Sequence, residues 1–147
     1  MYGFDENYPR ERGYCDPSDE NHENHVWTGD FNCGSFGLGR DGWYVPSGWH
    51  SRIDFGSAAR SVELDNPEWR RVKSWVGVPK NRTLLAFRIE ERYSGDFHFL
   101  LRVGGKWWHK MGWTAIAPVR FAVTRAWRCG YHLYNSEIAW FVRVDED

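Results

Sequence analysis

Two consecutive glycines, in the stretch Val103-Gly104-Gly105-Lys106, separate the segments FHFLLRV (97–103) and KWWHK (106–110). Glycine reaches the positive φ angles of a two-residue hairpin turn without steric cost, so these segments are expected to pair as antiparallel neighbours. The segments at 84–91, 115–123 and 137–144 share their enrichment in β-branched and aromatic residues and are bounded by turn-forming residues. The C-terminal half therefore predicts an antiparallel sheet.

The N-terminal part lacks this pattern. Residues 1–29 are polar and acidic, with Pro9, Pro17 and the run DPSDENHENH, which predicts a loop-rich entry segment packed by Tyr2, Phe4, Tyr8 and Tyr14. Residues 31–40 predict a short helix beginning at Cys33, with Asp30 or Asn32 as its cap. Glycine, proline and serine between residues 42 and 65 predict an irregular connection, and Asn66-Pro67 opens an expected helix over 67–76. A short helix and loops in front of an antiparallel sheet make a single α+β domain over residues 1–147, with the core at 30–144 and an acidic tail at 145–147.

Composition narrows the function classes. Hydrophobic residues at 41% and charged residues at 27% exclude a largely disordered chain. No apolar run is long enough to span a bilayer and the first residues lack a signal-peptide pattern, so the expectation is a cytoplasmic protein with no membrane partner. The net charge of −1 conceals a basic body between acidic ends, and the ends are expected to neutralise part of it, which makes a nucleic-acid partner the weaker expectation. Ten Trp, nine Phe and seven Tyr demand a dense core, a groove, or both.

Three cysteines, an odd number, leave at least one thiol free. Cys33 is the first candidate nucleophile. At a helix start its thiolate and a developing oxyanion would both meet free backbone amides, and Gly34 and Ser35 would let a substrate backbone approach. A nucleophilic thiol needs an imidazole base and a polar group to orient that base. His98 and His109 lie on the two predicted hairpin strands, offset so that they cannot stand directly opposite without a bulge or a longer loop but could share one face diagonally. Strand alternation puts Trp107 on the face of His109 and Trp108 on the other, which makes Trp107 a groove wall, while Trp43 or Trp49 could form a lid.

Asn32-Cys33-Gly34-Ser35-Phe36-Gly37-Leu38, followed by Asp96-Phe97-His98-Phe99 and Trp107-Trp108-His109-Lys110, resembles the papain-like NlpC/P60 cysteine peptidases and amidases, in particular a divergent bacterial and phage branch. The resemblance covers roughly residues 30–112. It implies a papain-like fold in which Cys33 attacks a carbonyl, His98 is the general base, and His109 orients it. The groove would include Asn32, Gly34, Ser35, Trp43, Asp96 and Trp107. The implied substrates are peptide, isopeptide or amide groups in peptidoglycan or a host protein, with no cofactor and no metal. The glycine-rich segment after Cys33, and the lack of a small apolar run after His98, depart from the wider family pattern.

Three alternatives accompany this expectation. In permuted relatives of the lecithin:retinol acyltransferase type the order is His, His, Cys, which would give the nucleophile's role to Cys129, beside Arg128. Cys15, His22 and His25, with Cys33 as a fourth ligand, could hold a metal, although their spacing matches no common zinc module. A non-catalytic phage or effector protein could instead sequester a host protein or nucleic acid on its basic, aromatic-rich surface.

Overall fold

The computed structural model describes residues 4–13, 30–91, 95–112 and 114–147. Its elements run α1 (Tyr8–Arg12), α2 (Cys33–Leu38), α3 (Phe55–Asp65), β1 (Trp69–Val72), β2 (Leu84–Ile89), β3 (Phe97–Val103), β4 (Lys106–Lys110), β5 (Ile116–Pro118), β6 (Trp127–Cys129), β7 (His132–Tyr134) and β8 (Ala139–Arg143), closing with a 3-10 turn at Val144–Glu146. Six strands form one antiparallel sheet in the order β1-β8-β2-β3-β4-β5, and β6 and β7 pair as a separate hairpin. This is the expected α+β arrangement. Among the described residues no helix is long and apolar enough to cross a membrane.

The long strands are buried on both faces, which explains why LLAFRI and FHFLLRV read as nearly continuous apolar runs. Alternation sorts their side chains into two cores. Leu85, Phe87, Phe97, Phe99, Leu101 and Phe141 join α2 and α3 on one face. Leu84, Ala86, Leu100, Trp140 and Val142 join Trp127, Cys129 and Tyr134 of the hairpin on the other. The expected hairpin turn forms at Gly104 and Gly105, whose φ angles are +58° and +77°.

Helix α2 starts where expected, and Asn32 is the cap: its Oδ1 accepts from the Ser35 amide at 3.0 Å. The glycines of α2 trade helix propensity for proximity to the sheet. A Cβ on Gly34 would stand 2.9 Å from Tyr44 and 3.2 Å from Phe99, and one on Gly37 would stand 2.8 Å from Leu85. Gly37→Ala is therefore expected to destabilise the protein by about 1–3 kcal/mol through overpacking, although alanine is favoured over glycine by about 1 kcal/mol in an open helix. Denaturant unfolding measures it, and an unchanged or higher midpoint would show that α2 can lift off the sheet at little cost.

Several local expectations are corrected. Residues 67–76 do not form a helix: Trp69–Val72 pair with β8 from Trp69↔Arg143 to Val72↔Trp140, and the Trp69 indole is buried with its N–H donating to the Leu38 carbonyl. Tertiary pairing here outweighs the helix signal of Asn66-Pro67. The connection at 42–65 is not irregular throughout. Asp54 caps α3 by accepting from the amide and hydroxyl of Ser57, both at 2.8 Å, and Ala58, Ala59 and Val62 bury its inner face. The segment at 115–123 contributes only three strand residues, and the β6–β7 hairpin, turning at Gly130 with φ +61°, was not expected.

The entry segment is not all loop, since α1 forms and Phe4 and Tyr8 pack as expected; Tyr2 and Tyr14 lie outside the described residues. The acidic tail does neutralise basic side chains. Asp147 pairs with Arg70 and Arg82, and Asp145 with Arg143.

Candidate thiol and imidazole site

The β3–β4 register runs from Val103↔Lys106 to Leu101↔Trp108, and its continuation sets Leu100 opposite His109. His98 therefore stands two residues further along β3 and meets His109 diagonally, the arrangement that the sequence offset allowed. The rings cross nearly edge to face, with His98 Nε2 3.0 Å from His109 Nδ1. Tyr134 of β7 stacks on His98 at a centroid distance of 5.2 Å and an interplanar angle of 20°, and its hydroxyl donates to Asp96 Oδ2 at 2.7 Å. Two polar neighbours thus fix the imidazole: His109 by hydrogen bonding and Tyr134 by stacking.

Alternation has a second consequence. Phe97 and Phe99 point to the face covered by α2, so the His98 ring belongs to the opposite face, with Trp127 and Tyr134. Cys33 packs in the α2-side core. The two sides communicate at the N-terminal end of β3, where a cavity of about 470 Å³ is lined by Asn32, Cys33, Asp96 and His98, by Trp43 at its rim, and by Cys129, His132 and Tyr134 from the hairpin side. The backbone amides of Phe99, the residue after His98, and of Gly34 lie near enough to Cys33 to favour its thiolate.

Asn32, Cys33, Trp43, Asp96 and His98 are therefore brought together as expected, while three expected groove residues face elsewhere. Gly34 and Ser35 are buried in the α2 contact with the sheet. Trp107 packs toward Trp140 and under Arg102, because the face it shares with His109 is covered by the second core at that end of the strand. Asn32 has a wider role than helix capping: its Oδ1 also accepts from the Tyr44 amide at 3.1 Å and its Nδ2 donates to the Tyr44 carbonyl at 2.8 Å, which ties the Trp43-bearing loop to the start of α2. Trp49 packs edge-on against Phe97 at 4.9 Å. Cys15, His22 and His25 lie outside the described residues.

Burial sets the protonation states. It pushes the Cys33 thiol up to about 12, with the Asp96 charge adding and the two amides opposing. Cys129 is pushed up to about 11, by burial and then by Asp96. His98 lies well below the ordinary histidine range because of burial, then the neighbouring His109 and His132, and burial alone brings His109 down to about 4. At neutral pH the site thus holds two thiols and two neutral imidazoles.

Cys129, His98 and His109 are all buried, and their ligand-capable atoms lie within 4.8 Å of one another. Lys110, the last residue of the Trp107-Trp108-His109-Lys110 pattern, is a further component of the site. It alternates away from His109 to the α2 face, is fully buried with its ammonium over the Phe31 ring, and donates to the Gly112 carbonyl. Burial lowers it to about 8, against an upward pull from the Cys33 charge. Tyr134 and His132 were missed as well, and the one local signal for them was the Cys129-Gly130 turn between two short apolar alternations.

Comparison with protein-family models, curated proteins and solved structures found no match to this chain.

Proposed function

We propose that the protein is a thiol-dependent hydrolase or acyltransferase of papain-like type, with Cys33 as nucleophile, His98 as general base and His109 as the residue that positions His98. The observation that carries this proposal is the 3.0 Å contact between His98 Nε2 and His109 Nδ1 at the wall of a cavity that Cys33 also lines. With Nε2–H donated to His109 Nδ1, the unprotonated His98 Nδ1 is the nitrogen left to take a proton from a thiol.

Because burial keeps Cys33 protonated, attack and proton transfer are coupled. Cys33 and His98 meet the cavity from opposite faces of the sheet, so as the sulfur bonds to the acyl carbon its proton passes to His98 through one water in that cavity, and His98 then returns a proton to the departing amine. The Cys33 amide at the start of α2 is a donor for the oxyanion, and Lys110 brings positive charge to the same side. The mixed lining of Trp43, Val45, Met111 and Asp96 suits a peptide, isopeptide or amide group with an apolar flank, such as peptidoglycan peptide or a host protein.

p-Nitrophenyl acetate tests the proposal without knowledge of the natural substrate. Acetylation located by mass spectrometry is expected on Cys33, absent from Cys33→Ala and retained in Cys129→Ala. Acetylation that survives Cys33→Ala and disappears with Cys129→Ala would transfer the nucleophile's role to Cys129. A protein acetylated on neither cysteine would be a binding protein whose apolar cavity holds an inert thiol.

A further inference from the structure

We infer that His98, His109 and Cys129 form a transition-metal site, suited to zinc, that switches off the proposed thiol centre when loaded. The grouping of the donors, their spacing and their chemistry converge on it. The donor atoms come from β3, β4 and the β6–β7 hairpin and already lie within 4.8 Å of one another. Tetrahedral zinc with two nitrogen ligands and one sulfur ligand sets its donors about 3.3–3.6 Å apart, so side-chain shifts of about an ångström would close the group on a metal. The donors are also of the right kind: two imidazoles and a thiolate select zinc or copper(I) over magnesium or calcium, which prefer oxygen.

The site is built as well as grouped. His98 is held by its stack on Tyr134, and Cys129 and His132 are register partners across the hairpin that also carries Tyr134. His98 and Cys129 both border the 470 Å³ cavity, which provides an entry route and room for a fourth ligand such as water. Cys129 has no part in the proposed hydrolysis, and besides packing in the second core it carries its sulfur to the imidazole pair.

The metal takes the position between His98 Nε2 and His109 Nδ1, and the proton between them is replaced by one gained from solvent at His98 Nδ1. The Cys129 thiol gives its own proton to solvent as the metal–sulfur bond forms. One proton is released per metal bound, and His98 is left protonated at Nδ1, where it can no longer accept from Cys33. This consequence rests on the proposed thiol activity, whereas the metal site itself does not.

Cobalt(II) added to the full-length, metal-free protein provides the test. One equivalent is expected to bind with a thiolate-to-metal charge-transfer band that zinc abolishes by displacement. The band should be lost in Cys129→Ser and retained in both Cys33→Ser and Cys15→Ser. In wild-type protein, stoichiometric zinc should also protect Cys129 from iodoacetamide, a readout that does not depend on how any variant folds. Absence of stoichiometric binding would overturn the site, as would a band that follows Cys33 or Cys15, or an unprotected Cys129. If the protein acetylates Cys33, one equivalent of zinc should suppress that acetylation; acetylation at the metal-free rate would overturn the switch and leave the site standing.

Discussion

His98→Gln is expected to slow acetylation of Cys33 by about two to four orders of magnitude, the range typical for loss of a positioned general base. The effect should be large because the Cys33 thiol, pushed up to about 12, supplies almost no thiolate of its own at neutral pH. Without an acceptor for its proton the sulfur has no route to attack. Glutamine retains polarity and much of the volume, so the stack on Tyr134 and the hydrogen bond toward His109 have a partial substitute. Stopped-flow release of p-nitrophenolate, with thermal unfolding run on the same sample, separates lost chemistry from lost structure. A His98→Gln protein that folds normally and acetylates Cys33 at the wild-type rate would remove His98 from the mechanism. It would also direct attention to Lys110, which burial brings down to about 8 on the Cys33 side of the sheet.

The largest stability effect should come from Phe99→Ala, at about 3–5 kcal/mol. Phe99 is fully buried and sits at the junction of three elements. Its ring lies 4.8 Å from that of Phe87 and 6.0 Å from that of Phe97, with Tyr44 at 6.3 Å. On its other side the two α2 glycines approach so closely that neither could carry a Cβ without displacing a neighbour. A cavity there cannot collapse easily, because β3 is held between β2 and β4 and α2 is anchored at Asn32. Denaturant unfolding should show a midpoint shift with little change in slope. A loss below about 1 kcal/mol would mean that α2 slides into the space, and the position of Cys33 would then not be rigidly set by the sheet.

Two pieces of the site are legible in the sequence because each is built from residues close together in the chain. The Gly104-Gly105 turn fixes the hairpin, and the offset of His98 and His109 about it excludes a directly opposed pair and allows a diagonal one. Asn32 at the head of a short segment marks α2 and therefore the position of Cys33. For the hairpin and the helix start the governing interaction spans a few residues, so propensity and period carry the information, whereas Asp96 was implied only by the family resemblance.

The errors share the opposite property. Trp69–Val72 became a strand because β8, some seventy residues away, offers a partner at the sheet edge, and no local preference registers that pairing. Helix α3 was hidden because Gly56 and Ser57 read as loop residues until the Asp54 cap and the buried alanine face are seen together. Trp107 was placed on the correct face but not in the groove, since alternation names a face and not what covers it.

The chain's local chemistry determined an antiparallel hairpin bearing two histidines, a capped helix start bearing a cysteine, and an aromatic load too large to leave exposed. Tertiary structure alone decided that Cys33 and the His98 ring belong to opposite faces of the sheet and share one cavity at the end of β3. It also decided that Cys129 arrives beside His98 and His109 on a separate hairpin. The physical reason is that strand alternation is a local rule, whereas the packing of a helix on one face and a hairpin on the other is settled by burial of apolar surface between residues far apart in the chain.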